Sequence, residues 1–171
     1  MKSIVIYSSL TGNTKQVAEA ITSVLPAGTP CVSMQELPLD LSSYDLVFAG
    51  FWVDKGTANK EARDVLGTLH NPYIALFATA GVPPQMAHAK ESLINAANCL
   101  PDGVEPVGTF ICQGKVDPKV IEMMYKMFPK GHSHGQSADR DARHKQAAVH
   151  PNEDDFKAAQ DFAKDILIKL S

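Results

Sequence analysis

The chain has 171 residues, 44% of them hydrophobic, and sets 16 Lys/Arg against 19 Asp/Glu for a net charge of −3. That length suits one domain with a complete core, and the mildly acidic balance offers nucleic acid no electrostatic footprint. The apolar runs are too short to insert in a bilayer, Met1-Lys2 leads directly into a strand pattern, and three cysteines at unrelated spacings argue for reduced thiols, so a cytoplasmic chain is expected.

Ile4-Val5-Ile6-Tyr7 is uncharged and reads as a strand buried on both faces of a sheet. Val17, Ala18, Ile21, Val24 and Leu25 then recur at helical spacing, which predicts a helix over Asn13–Leu25 that stops before Pro26-Ala27-Gly28. Pro30–Met34 reads as a short second strand, and Gln35–Ser43, with Pro38 inside it, as a loop. The third strand is Tyr44–Gly50, again without alternation and therefore central. Thr57 is an N-cap for a helix burying Ala62, Val65, Leu66 and Leu69. Pro72 opens a fourth strand, Tyr73–Ala78. A helix over Pro84–Asn98 buries Met86, Leu93 and Ala97, and Val107–Gln113 is the fifth strand. Residues 115–150 are an insert: Asp117 and Pro118 start a helix with Val120, Met124, Met127 and Phe128 inward, and Pro129–Val149 is a flap or loop without apolar period. The last helix is capped by Asn152, and Phe156, Ala159, Ala163, Ile166 and Leu170 form its core stripe. Strands alternating with helices predict an α/β fold with a parallel sheet.

Between the first strand and the first helix lies Ser9-Leu10-Thr11-Gly12-Asn13-Thr14. Backbone N–H groups at a helix start have no intrahelical partner and sit at the positive end of the dipole, so such a turn binds an anion. Hydroxyls of Ser9, Thr11 and Thr14 add donors, and Gly12 allows close approach. The absence of Lys and Arg in the turn suits a phosphate monoester held permanently. A triphosphatase loop is excluded, since Gly114-Lys115 continues into Val116 with no Gly five positions earlier. So is a Gly-x-Gly-x-x-Gly fingerprint, because no two glycines are one residue apart, and no cysteine has the Arg of a phosphatase loop.

Val5-Ile6-Tyr7-Ser8-Ser9-Leu10-Thr11-Gly12-Asn13-Thr14-Lys15-Gln16-Val17-Ala18 resembles the FMN phosphate loop of flavodoxins, in the aromatic before the turn, the hydroxyls, the Gly-x-Thr and the following Ala. The resemblance covers residues 1–114 and the final helix. It implies a flavodoxin-like doubly wound sheet of five parallel strands, order 2-1-3-4-5, with helices on both faces and non-covalent FMN. Ligands of open α/β sheets bind beyond the carboxyl ends of the strands, which joins Ser9–Thr14 to the loops after strands three and four. In the first of these, Trp52, Val53, Asp54, Lys55 and Gly56 are candidate ring contacts, with Trp52 able to cover a flavin and Gly56 or the Lys55–Gly56 peptide able to turn over on reduction. In the second, Thr79, Ala80 and Gly81 bring small side chains to the pyrimidine edge, without the Asp and stacking Tyr of the family.

Residues 113–150 hold seven Lys/Arg against four Asp/Glu and four of the six histidines, whereas the rest of the chain is acidic, nine against fifteen. The acidic body suits docking onto basic redox partner proteins, a reductase and an acceptor. The His132-Ser133-His134 run lacks a carboxylate or Cys to complete a metal ligand set. Three functions follow: a flavodoxin that shuttles single electrons and turns over no substrate, a flavin-dependent NAD(P)H oxidoreductase of quinone or FMN reductase type, or a scaffold without cofactor.

Overall fold

The structure, a computed structural model, describes residues 1–37 and 40–171. Its elements in chain order are β1 (Ser3–Tyr7), α1 (Asn13–Thr22), β2 (Cys31–Ser33), β3 (Leu46–Asp54), β4 (Thr57–Ala58), α2 (Lys60–Leu66), β5 (Tyr73–Ala80), α3 (Ala87–Ala97), β6 (Gly108–Gln113), α4 (Pro118–Met127), α5 (Ala138–Ala147) and α6 (Glu153–Lys169). Five strands pair in parallel in the order β2-β1-β3-β5-β6, and β4 is an antiparallel addition to β3. Without that addition the order is the expected 2-1-3-4-5, the strand counted fifth in the sequence being β6.

Uninterrupted apolar text makes the central strands, because both faces of the sheet are covered. Ile4, Ile6, Val47, Ala49, Phe51, Ile74, Leu76 and Ala78 pack on one face under Ala62 and Leu66 of α2 and Ala96 of α3. Val5, Leu46, Phe48, Ala75 and Phe77 pack on the other under Val17, Ala18 and Ile21 of α1 and Ala159, Ala163 and Ile166 of α6. The strand-one register sets Val5 against Phe48 and Tyr7 against Gly50, which fixes where the turn after Tyr7 emerges.

Several boundaries differ from the sequence reading, each for a local reason. Helix α1 ends at Thr22, where Ser23 caps it, and Val24 and Leu25 continue only as hydrogen-bonded turns. Strand β3 runs on to Asp54, so Trp52, Val53 and Asp54 are strand residues and not loop. Thr57 sits in β4, and Asn59 is the N-cap residue of α2. Helix α3 starts at Ala87, because the Pro83 carbonyl accepts from the Met86 N–H in a turn and Met86 itself is extended (ψ 144°) as the N-cap residue. Of the Gln35–Ser43 loop, Pro38 lies outside the described residues, while its flanks form 3-10 turns at Met34–Glu36 and Leu41–Ser43.

The segment between β6 and α6 departs most. Helix α4 forms where expected, with Asp117 accepting from the Lys119 N–H, but Met127 points to solvent. Within Pro129–Val149, read as irregular, lies α5, capped by Ser137. Tyr125 Oη donates to Asp141 Oδ1 (2.9 Å), and both Arg140 Nε and Nη2 donate to the Ser133 carbonyl. The His132 ring stacks on Phe128, with centroids 4.6 Å apart. Polar pins therefore hold a helix pair whose residues belong to neither sheet core.

All three cysteines are free thiols, and Cys112 is buried under α6, where desolvation, and secondarily Asp155, push its thiol up to about 12. A thiolate is the reactive form, so Cys112 is expected to stay silent to Ellman's reagent in the native protein. Cys112→Ala should leave the native thiol count unchanged and lower the denatured count by one; a lower native count would contradict this burial.

Candidate functional site

Strand β1 ends at Tyr7 and α1 begins at Asn13, so Ser8–Gly12 makes the entire connection. Gly12 occupies the N-cap with φ of 94°, a left-handed conformation that costs glycine least. Ser9 Oγ accepts from the backbone N–H of Gly12 (3.1 Å) and Lys15 (3.3 Å), which folds the turn back on itself. Gly12 brings no capping side chain. Among the described residues, the backbone N–H groups of Leu10, Thr11, Asn13 and Thr14 donate to no protein acceptor. Four open donors at the positive end of a ten-residue helix are what a phosphate monoester requires, so the turn fits that group.

The turn is braced from both sides of the sheet. Thr14 is 1% exposed, and its Oγ1 lies 2.9 Å from Thr79 Oγ1 at the end of β5. One proton serves that bond, and the other hydroxyl keeps a proton to give. On the opposite face, Ser8 Oγ donates to the Glu61 carboxylate and accepts from Asn59 Nδ2 (2.8 Å). Asn59 is 4% exposed and, though it holds the N-cap position of α2, its side chain makes no capping bond, and its Oδ1 is buried without a partner. Ser8 N–H donates to the Gly50 carbonyl, and Asn59 N–H to the Trp52 carbonyl, so this cluster ties turn, β3 and α2 together.

After β3 the chain makes a two-residue hairpin. Lys55 (φ 49°) and Gly56 (φ 78°) both take positive φ, the type I′ geometry whose twist suits a hairpin. Its tip does not project freely: Asn95 Nδ2 of α3 donates to the Gly56 carbonyl (2.8 Å), and His88 approaches Gly56. Lys55 is exposed there. Trp52 is half-buried in β3, paired in register with Thr79, so strand alternation puts its ring on the sheet face that carries Thr79 and Thr14. Val53 packs on the other face, with β4. The structure thus gathers Trp52, Thr79 and the Ser9–Thr14 turn, while Gly56 docks on α3 and Lys55 faces solvent.

Ala80 and Gly81 close the third side. The Ala80 carbonyl accepts from the Gly114 N–H (2.8 Å), and the Gly81 carbonyl from Gln113 Nε2 (3.4 Å). Val116 lies against Gly81. The start of the 115–150 segment therefore lies on the loop after β5, beside an open cleft of about 250 Å³ lined by Thr11, Asn13, Lys115, Asp117 and Pro118. Sequence reading missed Ser8, Asn59, Glu61 and Lys115 as members of this region. Asn59 carries one signal, an Asn just before a helical pattern, which competes there with Thr57.

A doubly wound parallel sheet with a donor-rich turn leaving its first strand places the chain among the doubly wound α/β proteins. The chain belongs to the flavodoxin family, since the Flavodoxin domain model matches residues 4–164. It is 36% identical to the flavodoxin-like domain-containing protein BilS of Clostridioides difficile (strain CD3) over 178 residues, covering 100% of this chain and 99% of that protein. It is similar in fold to the flavodoxin of Streptococcus pneumonia TIGR4, with a TM-score of 0.57 at 13% identity over 98% of both chains. A flavoprotein of Lactobacillus acidophilus NCFM, solved in complex with FMN, superposes with a TM-score of 0.52 at 19% identity, covering 65% of this chain and 93% of that one. At these identities the two solved structures establish a common fold.

Proposed function

We propose that the chain binds FMN and acts as a one-electron carrier between redox proteins. The observation that carries this reading is the run of unpartnered backbone donors from the end of β1 into the first residues of α1, Leu10, Thr11, Asn13 and Thr14 among them, at the carboxyl end of the central strands. The FMN held by the Lactobacillus relative, on the same fold, supports the choice of nucleotide. Leu10, Thr11, Asn13 and Thr14 would hold the phosphate, with Ser9 and Gly12 shaping the turn. Trp52, Thr79, Ala80 and Gly81 would line the ring side, and Val53, Asp54, Lys55 and Gly56 its outer rim. When bound, FMN supplies the one-electron chemistry; the protein's part is to hold it, exclude water and present its edge to a partner. Among the described residues no helix is long and apolar enough to cross a membrane. Together with three free thiols, this suits work in a reducing cytoplasm.

Purified protein is expected to take up FMN with quenched flavin fluorescence. Thr14→Val removes the hydroxyl shared with Thr79 and should weaken that uptake about tenfold, the worth of one good hydrogen bond. Equal uptake by the two proteins would remove the Thr14 hydroxyl from the site. A second reading, an NAD(P)H-dependent flavin oxidoreductase, draws on one observation: the loop after β5 carries no aromatic to cover the ring, which leaves room for a nicotinamide. Rapid anaerobic bleaching of the loaded protein by NADPH would favour it, and indifference to NADPH favours the carrier.

A further inference from the structure

We propose that Lys115 is the cationic partner of the bound phosphate and sets the preference of this site for a phosphorylated flavin over riboflavin. The inference rests on reading Ser9–Thr14 as the FMN phosphate turn. A phosphate monoester carries about −1.5 to −2 charges at neutral pH, and the turn opposes it with neutral donors alone. The sequence places the missing charge a hundred residues away, and the fold returns it. Lys115 lines the same cleft as Thr11 and Asn13.

Its backbone is held at both peptide groups. The Lys115 N–H donates to the His150 carbonyl (2.9 Å), and its own carbonyl accepts from Asn13 Nδ2 (2.8 Å). Asn13 is itself the first residue of α1, so the turn that binds the anion also places the lysine. The preceding Gly114 lets the two strands of chain meet, because a Cβ there would stand 2.8 Å from Asn13 Nδ2. His150 is in turn fixed by the 2.6 Å contact of its Nδ1 with Asp155 Oδ2, at the start of α6. While Lys15, Lys60, Lys126, Lys157 and Lys164 pair with carboxylates, Lys115 has no carboxylate within 4.0 Å among the described residues. It is a solvent-facing cation on a fixed stem, available to an anion in the cleft.

Asp117 supplies an internal control. It lines the cleft too, and its carboxylate accepts from the Lys119 N–H as the cap of α4. Its negative charge opposes a phosphate, so the two side chains act with opposite sign at one site.

The test is the dissociation constant of FMN and of riboflavin for the native protein, Lys115→Gln, Lys115→Arg and Asp117→Asn. Lys115→Gln should weaken FMN about fivefold, in the range of a solvated charge pair, and leave riboflavin unchanged. Lys115→Arg should restore the preference, Asp117→Asn should increase it, and added salt should erode it in the native protein more than in Lys115→Gln. Uptake of both flavins with an unchanged FMN-to-riboflavin ratio, or an equal loss for both, overturns this proposal alone. Uptake of neither flavin by the native protein overturns the phosphate-turn reading and this proposal with it.

Discussion

Gly50→Ala is expected to destabilise the protein by about 3 kcal/mol, because a methyl group there has no space to enter. A Cβ on Gly50 would stand only 2.1, 2.2 and 2.8 Å from Cζ, Cε2 and Cε1 of Phe77, clashing with the tip of its ring. Phe77 is fully buried on the next strand, between sheet and the α1–α6 layer, so its ring has nowhere to withdraw. The damage should spread to the site. Gly50 pairs in register with Tyr7 and Phe77, its carbonyl accepts from the Ser8 N–H, and Trp52 follows two residues later on the same face. Urea unfolding of Gly50→Ala, Phe77→Leu and the double variant measures this. The smaller side chain at 77 should recover part of the loss, so that the double variant is more stable than the sum of the singles predicts. A cost below about 0.5 kcal/mol for Gly50→Ala, or strict additivity, would show that the strands part more easily than this packing implies.

The same packing explains what the sequence revealed and what it hid. Ile4–Tyr7, Leu46–Phe51 and Ile74–Ala78 are legible because a strand covered on both faces must be apolar throughout. The Ser9–Thr14 turn is legible because every residue that makes it is contiguous. Helix α5 was not, since Ala147 is its one buried residue among those described and no apolar stripe announces it. Beyond the local Ser137 cap, what holds it is tertiary: Tyr125 on Asp141, and His144 folded in toward Tyr125, where burial first and Arg140 second hold the imidazole below its ordinary range. The β3–β4 hairpin was hidden by chemistry of a different kind. Type I′ turns advertise themselves as Asn-Gly or Asp-Gly, and here a lysine takes the first left-handed position. Reading a turn there would have moved the helix cap from Thr57 to Asn59. Lys115 was invisible for a simpler reason, its hundred-residue separation from the turn it joins.

Ser8→Ala is expected to cost about 3 kcal/mol, from polar groups it strands rather than from volume lost. Ser8 Oγ is the donor to the Glu61 carboxylate and the acceptor for Asn59 Nδ2 at once. Asn59 Oδ1 already lacks a partner, so removing Ser8 Oγ leaves the whole buried amide unpaired. An apolar group in place of one member of such a cluster is worse than apolar groups in place of two. Asn59→Leu should therefore cost less in a Ser8→Ala background than in the native protein, with a coupling of about 1–2 kcal/mol in a denaturant double-mutant cycle. On the proposed function, flavin affinity should fall in Ser8→Ala as well, because Ser8 is the residue tied to Gly50 just before the Ser9–Thr14 turn. Additive losses within about 0.5 kcal/mol would mean that Ser8 and Asn59 act separately, and that the turn draws its shape from Ser9, Gly12 and Thr14 alone.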